Sequence, residues 1–171
     1  MQSPSSSLPT NSIAFIGLCN EYCNAVTAAA ESEPADFIAE MLRLLPRIYI
    51  AASDLPDDQT LAEEGYIDDA MDETSYTDLR DHMAAILGAD DTYLETFEED
   101  MKYSDTPIAA SISENLADIM QVTFNFISTI RQAPVESIPA ILATVKEDFT
   151  SYWSRILCNV LRPLNHLRYN S

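Results

Sequence analysis

The chain has 171 residues, of which 28 are Asp or Glu and 9 are Lys or Arg, so its net charge is −19 with both His neutral. Hydrophobic residues make up 47% of the chain, which is too many for a disordered acidic tail, and no apolar run approaches the roughly 20 residues that span a bilayer. The negative charge also argues against nucleic acid as a partner, because phosphate backbones bind to clustered Lys and Arg side chains.

Residues 1–11 are predicted to be a disordered N-terminal segment, followed by a single helical domain over residues 12–171. The segment is rich in Ser and Pro and has no Lys or Arg, so it does not resemble a signal peptide. A cytoplasmic location is expected, and the cysteines agree with it, because Cys19 and Cys23 have a spacing that neither a redox motif nor a zinc site uses. We expect buried thiols, with a metal or reactive role alongside Cys158 as the alternative.

The first third of the chain is predicted to form two helices. Apolar residues recur with a period of about 3.6 over residues 12–30 and again after Pro34, which suits the first turn of a helix. Pro46 should kink or break the second helix, because its ring clashes with the carbonyl of Leu42.

Residues 54–100 carry most of the charge of the molecule. They include 17 acidic residues and a single basic one, Arg80, which gives a net charge of −16. Periodicity predicts a helix over residues 76–87 that ends at Gly88, a typical helix C-cap. Residues 90–102 are expected to form at most one short helix.

Two long helices are predicted in the C-terminal part of the chain. The first should begin at Ser111 or Ser113, with Ser113 as a candidate N-cap, and end near Arg131. The second should begin near Ser137, and Pro163 should kink or end it. With no paired strands expected and three Gly in the whole chain, the pattern predicts an all-α fold, an antiparallel bundle of five or six helices.

Three strings in these two helices resemble a known family. They are Asn115-Leu-Ala-Asp-Ile119, Phe149-Thr-Ser-Tyr-Trp153 and Leu161-Arg-Pro-Leu-Asn-His-Leu167. On these residues the chain resembles domain-of-unknown-function family 5063, whose members are small, acidic, mostly helical bacterial proteins. The resemblance implies an all-helical fold and supplies no activity.

A polar stripe on the first C-terminal helix is the best candidate for chemistry. Its members are Glu114, Asp118, Gln121 and Asn125, which lie on one face because they are three or four residues apart. One hypothesis is a pyrophosphatase-like hydrolase in which Glu114 and Asp118 bind Mg²⁺ or Mn²⁺ together with acids of residues 54–100. The alternative is a solvated edge of an otherwise buried helix, with no cofactor.

The acidic residues 54–100 have three interpretations. They could be a solvated face, a binding face for a basic protein partner, or a mimic of a nucleic-acid backbone. The leading hypothesis is a non-catalytic interaction or regulatory module whose acidic face uses Asp68, Asp69, Asp72 and Glu73. The apolar stripes fit a bundle core or a dimer seam equally, so the oligomeric state stays open.

Overall fold

The computed structural model describes residues 8–95 and 108–170 of the chain. Its helices are α1 (Thr10–Thr27), α2 (Pro34–Ser53), α3 (Gln59–Glu64), α4 (Glu73–Leu87), α5 (Ile112–Gln132), α6 (Ile138–Asp148) and α7 (Ser154–Asn170). A π-helical turn, Phe149–Trp153, joins α6 to α7 without a break, so the described residues form six helices. The predicted all-α fold is confirmed, and no described helix is long and apolar enough to cross a membrane.

Four helices surround the core. α1 and α7 each pack against both α2 and α5, while α4 lies against α5 and α3 lies against α6. At the centre, Phe15 and Trp153 are fully buried with ring centroids 6.4 Å apart, and Phe126 lies 5.3 Å from Phe15. The predicted apolar stripes therefore converge on one shared core.

The contact between α1 and α5 contains polar as well as apolar groups. The buried Tyr22 hydroxyl donates to the carbonyl oxygen of Leu116 at 2.6 Å, which satisfies it inside the core. Cys19 and Cys23 are buried in the same region, as expected, whereas Cys158 is exposed. Burial raises the pKa of Cys19 and of Cys23, so both stay protonated thiols.

The prolines within α2 and α7 do not end their helices. α2 continues to Ser53 beyond Pro46, and α7 continues to Asn170 beyond Pro163, so a break at either position is not observed. Leu45 and Ile48 on either side of Pro46 are fully buried, as is Leu164 after Pro163. Burying each such side chain contributes about 1.5–3 kcal/mol, which offsets the roughly 3 kcal/mol that a helical proline costs.

Two short strands were not expected from the sequence. β1 (Thr92–Leu94) and β2 (Ala109–Ser111) pair in antiparallel fashion. The prediction of no paired strands, with at most a short helix over residues 90–102, is therefore wrong where β1 lies, and residues 96–102 fall outside the described residues. The Tyr93 hydroxyl donates to Asn115 Oδ1 at 2.5 Å, which fixes β1 to α5. Such a long-range contact leaves no local periodicity to detect.

The N-termini of α5 and α1 differ slightly from expectation. Ser111 caps α5, because its hydroxyl oxygen accepts from the backbone N–H of Glu114 at 3.3 Å. Ser113 is instead buried, and its backbone N–H and hydroxyl both donate to the Asp91 carboxylate at 2.7 Å. α1 begins at Thr10, inside the segment expected to be disordered, while residues 1–7 lie outside the described residues.

Candidate functional site

The polar stripe of α5 is covered by the chain that leads into α4. The Tyr76 hydroxyl donates to Asp118 Oδ1 at 2.6 Å. Asn125 Oδ1 accepts from the backbone N–H groups of Ala70 and Met71, at 3.0 and 2.9 Å. Asp118 and Asn125 therefore form a half-buried seam that binds another part of the protein, whereas Glu114 at the start of the stripe is exposed as a solvated edge would be.

The pKa values of Asp118 and of its neighbours in this seam are shifted. Burial raises the pKa of its carboxyl group, the hydrogen bond from Tyr76 opposes that effect, and the negative charge of Glu114 adds to it. Burial and the bond to Asp118 raise the pKa of Tyr76, which keeps the phenol protonated as the donor. Burial, and then the charge of Asp118, also raises the pKa of Tyr152 in the π turn. The proton therefore stays on the Tyr76 hydroxyl, which donates to the Asp118 carboxyl group.

The structure fixes the backbone of the predicted partner-binding residues. We name residues 68–73 the acidic loop. Its Asp68 backbone N–H donates to Thr129 Oγ1 at 2.9 Å, in addition to the two N–H groups held by Asn125. The side chains of Asp68, Asp69 and Glu73 are exposed. In the part of the chain that the structure describes, none of these three carboxylates forms an ion pair.

Asp72 differs from its neighbours in the acidic loop. Its Oδ1 accepts from the backbone N–H of Ser75 at 2.7 Å and so caps α4. This backbone hydrogen bond lowers the pKa of the Asp72 carboxyl group. An Asp immediately before a periodic segment is a helix-start signal, so this structural role could have been read from the sequence.

The proposed metal ligands are only partly brought together. Glu114 is exposed one turn from Asp118, and the Asp118 carboxylate is engaged by Tyr76. Among residues 8–95 and 108–170, no group of three or more His, Cys, Asp or Glu side chains could hold a metal ion. The Mg²⁺ or Mn²⁺ site at Glu114 and Asp118 stays a prediction.

Two polar residues at structural junctions carry little signal in the sequence. Tyr76 falls on the periodic stripe of its helix and so resembles a core residue, although its hydroxyl donates to Asp118. Lys146 is only 5% exposed, and its Nζ donates to the carbonyl oxygens of Ala52 and Ser53, at 3.1 and 2.5 Å. These carbonyls belong to the last turn of α2, where a cation is favourable. No local spacing indicates this contact between distant helices.

Comparisons with known proteins agree on a family and a fold. The family model described as a domain of unknown function, DUF5063, matches residues 6–170. The crystal structure of protein BF1032 from Bacteroides fragilis is similar, with 28% sequence identity and a TM-score of 0.79 over 95% of this chain and 94% of that chain. No curated protein matches the chain.

Proposed function

The chain belongs to the DUF5063 family of unknown function, and we propose that it is a non-catalytic module that docks a basic protein partner through its acidic loop. The acidic loop supplies negative charge at a fixed position on the surface. The partner would present clustered Lys or Arg side chains to it.

The anchoring of the acidic loop is the observation that supports this proposal. Three of its backbone N–H groups are bound by Asn125 and Thr129 of α5, while Asp68, Asp69 and Glu73 project into solvent. A rigid loop has little conformational entropy left to lose when a partner binds. Its carboxylates also lack ion-pair partners among the described residues, so they are available to an external cation.

Negative charge on an anchored loop favours the binding-face interpretation of the acidic residues over the interpretation as a solvated face. Complementary charge speeds encounter and fixes orientation, and this contribution weakens as salt screens the charges. The proposal therefore predicts an interaction that is specific to the position of the acids and sensitive to salt.

The test uses a synthetic arginine-rich peptide as the probe and the triple variant Asp68→Asn, Asp69→Asn, Glu73→Gln. Asp72 is left unchanged because its loss would remove the cap of α4. We expect the variant to bind the probe about fivefold more weakly at low salt, since exposed ion pairs contribute about 0.2–1 kcal/mol each. Fluorescence anisotropy would measure the dissociation constants.

The matched control is Glu31→Gln, Glu33→Gln, Glu40→Gln, which has the same net charge as the first variant. These three residues are exposed on the chain around the start of α2 and, in the described structure, form no ion pair. The control should bind nearly as well as the unmodified protein. Equal weakening in the two variants would show attraction by net charge alone and would overturn the proposal.

A further inference from the structure

A small apolar cavity lies between the start of α1, helix α3 and helix α6. We call it the apolar socket. It has a volume of about 160 Å³. Its apolar wall is formed by three leucines and three prolines, namely Leu8, Pro9, Pro56, Leu61, Pro139 and Leu142. A cavity of roughly 150 Å³ accommodates a benzene molecule, so the socket has the size of one leucine or phenylalanine side chain.

One polar group inside the socket lacks a partner. Ser12 lines the cavity and is 1% exposed, yet its hydroxyl forms no hydrogen bond within the described residues. Among the described residues, Trp153 Nε1 is the fully buried side-chain polar atom without a hydrogen-bond partner, so the Ser12 hydroxyl oxygen keeps some access to the cavity. A bound chain could offer this hydroxyl a backbone carbonyl or N–H group.

Carboxylates line two cavities that adjoin the socket. A cavity of about 390 Å³ shares Asp58 and Ala143 with the socket and adds Asp57 and Glu147. Lys146 also lines that cavity, but two carbonyl oxygens of α2 already hold its ammonium group.

The second adjoining cavity links the socket to the acidic loop. It has a volume of about 470 Å³ and shares Leu61 with the socket. Its wall includes Glu64, Glu136 and Asp68, and Asp68 is itself part of the acidic loop. The socket is therefore an apolar site whose two adjoining cavities are both lined by carboxylates.

We propose that the apolar socket receives one large apolar side chain of a protein segment whose flanking Lys or Arg residues meet the surrounding carboxylates. This inference rests on the proposed function and specifies the chemistry of the partner, a leucine-like anchor between basic residues. Anchors that fill a pocket inside a polar rim dominate the affinity of many interfaces. Charge complementarity favours a basic segment over a neutral small molecule of the same size.

The test compares two arginine-rich peptides that differ only at the central residue, Leu in one and Ser in the other. We expect the Leu peptide to bind about tenfold more tightly, because burial in the socket removes the apolar side chain from water. The preference should persist when added salt weakens both peptides, since the anchor contributes through apolar burial.

Ala143→Leu fills the socket from the α6 side and should remove the preference for the Leu peptide while leaving the affinity for the Ser peptide unchanged. The matched control is Ala85→Leu on α4, at an exposed position that lines none of these cavities. It should keep the tenfold preference. If Ala143→Leu does not fold, the methyl resonances of Leu61 and Leu142 in the unmodified protein give the same information. They should shift with the Leu peptide and not with the Ser peptide.

The outcomes separate this inference from the proposed function. Equal binding of the two peptides, with affinity that still depends on Asp68, Asp69 and Glu73, would overturn the socket and leave the docking proposal standing. Binding that is independent of these three acids would overturn the docking proposal. If phenol shifts the Leu61 and Leu142 methyl resonances while the two peptides bind equally, the socket is a small-molecule site and the inference is wrong.

Discussion

At the scale of single residues, the contact between Tyr76 and Asp118 explains why a carboxylate sits in the middle of a mostly apolar helix. The sequence shows Asp118 on a polar stripe, but periodicity cannot distinguish a metal ligand from a hydrogen-bond acceptor. The structure supplies a phenol at 2.6 Å and partial burial. The carboxylate is satisfied by a neutral donor, so its negative charge is not balanced at this contact.

The first prediction follows from the raised pKa of Asp118. The folded state holds this proton more tightly than the unfolded chain, so the resulting stability is present at low pH and is lost as the pH rises through the raised pKa. Asp118→Asn stays neutral and still accepts from Tyr76. We therefore expect it to be at least as stable as the unmodified protein at pH 7, with the difference vanishing below the usual carboxyl pKa of about 3.9.

Urea unfolding of both proteins across this pH range would measure the effect. Glu114→Gln is the control, because it removes the smaller contribution of the neighbouring charge while leaving Asp118 in place. A large loss of stability at pH 7 in Asp118→Asn would mean that the ionised carboxylate stabilises the fold, contrary to this account.

Gly65 is the residue that allows α3 to approach α6. A Cβ atom at this position would lie 2.2 Å from Thr144 Oγ1 and 2.3 Å from the carbonyl oxygen of Ala140. We expect Gly65→Ala to destabilise the protein by about 1–3 kcal/mol, the usual cost of overpacking. Gly17→Ala is the matched control, since nothing lies within 4 Å of its Cβ and Ala is favoured in a helix. Thermal unfolding that ranks the two variants in the opposite order would contradict the close approach.

At the scale of elements, the sequence indicates where the helices lie in the chain better than it indicates which elements pack against one another. The stripes of α1, α2, α5 and the C-terminal helix follow from local periodicity, and Gly88 ends α4 as predicted. The pairing of β1 with β2 depends on contacts between distant residues, which local patterns do not contain. The π turn is equally hidden from the sequence. Within it, the hydroxyls of Thr150 and Ser151 donate to the carbonyl oxygens of Lys146 and Glu147, contacts that often bend a helix.

The candidate site shows the same division between local and distant information. Asn125 is visible as a member of the polar stripe, and the acidic loop is visible as a run of charge. Their relation is not visible, because 54 residues separate Asn125 from Met71 in the chain. The sequence does not indicate from which distant N–H groups an amide oxygen on a helix face will accept hydrogen bonds.

Asn125→Ala should release the acidic loop from α5. It removes an acceptor that two backbone N–H groups share. The Ala70 N–H keeps the carbonyl oxygen of Asp68, whereas the Met71 N–H loses its partner, which costs about 1–3 kcal/mol. We expect faster hydrogen exchange at Ala70 and Met71, and weaker binding of the arginine-rich peptide because the carboxylates are no longer held in place. Gln121→Ala, in the same stripe, removes a side chain for which the described structure shows no hydrogen bond. Identical exchange in the two variants would show that Asn125 does not anchor the loop.

At the scale of the whole molecule, the charge is divided unevenly between parts of the chain. Residues 54–100 have a net charge of −16, whereas residues 101–171 carry equal numbers of acids and bases. The Arg80–Asp81 pair at 3.3 Å is exposed and joins adjacent residues of α4, so it neutralises little of this charge. Electrostatic repulsion between carboxylates is therefore greatest on the surface that includes the acidic loop. The C-terminal helices, which have no net charge, provide much of the core.

This repulsion predicts that simple salt stabilises the protein. Between about 10 mM and about 150 mM ionic strength the Debye length falls from about 30 Å to about 8 Å, so NaCl should raise the melting temperature by several degrees. The same measurement tests the metal site at Glu114 and Asp118. At matched ionic strength, MgCl₂ or MnCl₂ acting only as screening salts should raise the melting temperatures of the unmodified protein and of Asp118→Asn by the same amount.

A metal ion bound by Asp118 would behave differently, because a ligand that binds only the folded state stabilises it according to its concentration and dissociation constant. The melting temperature of the unmodified protein would then keep rising with MgCl₂ or MnCl₂ after NaCl has reached its plateau, and Asp118→Asn would lose that additional rise. We expect no such difference, because Tyr76 donates to the Asp118 carboxylate and the carboxyl pKa is raised, both of which weaken it as a ligand. A metal-specific rise that Asp118→Asn abolishes would instead favour the metal-dependent hydrolase over the docking module.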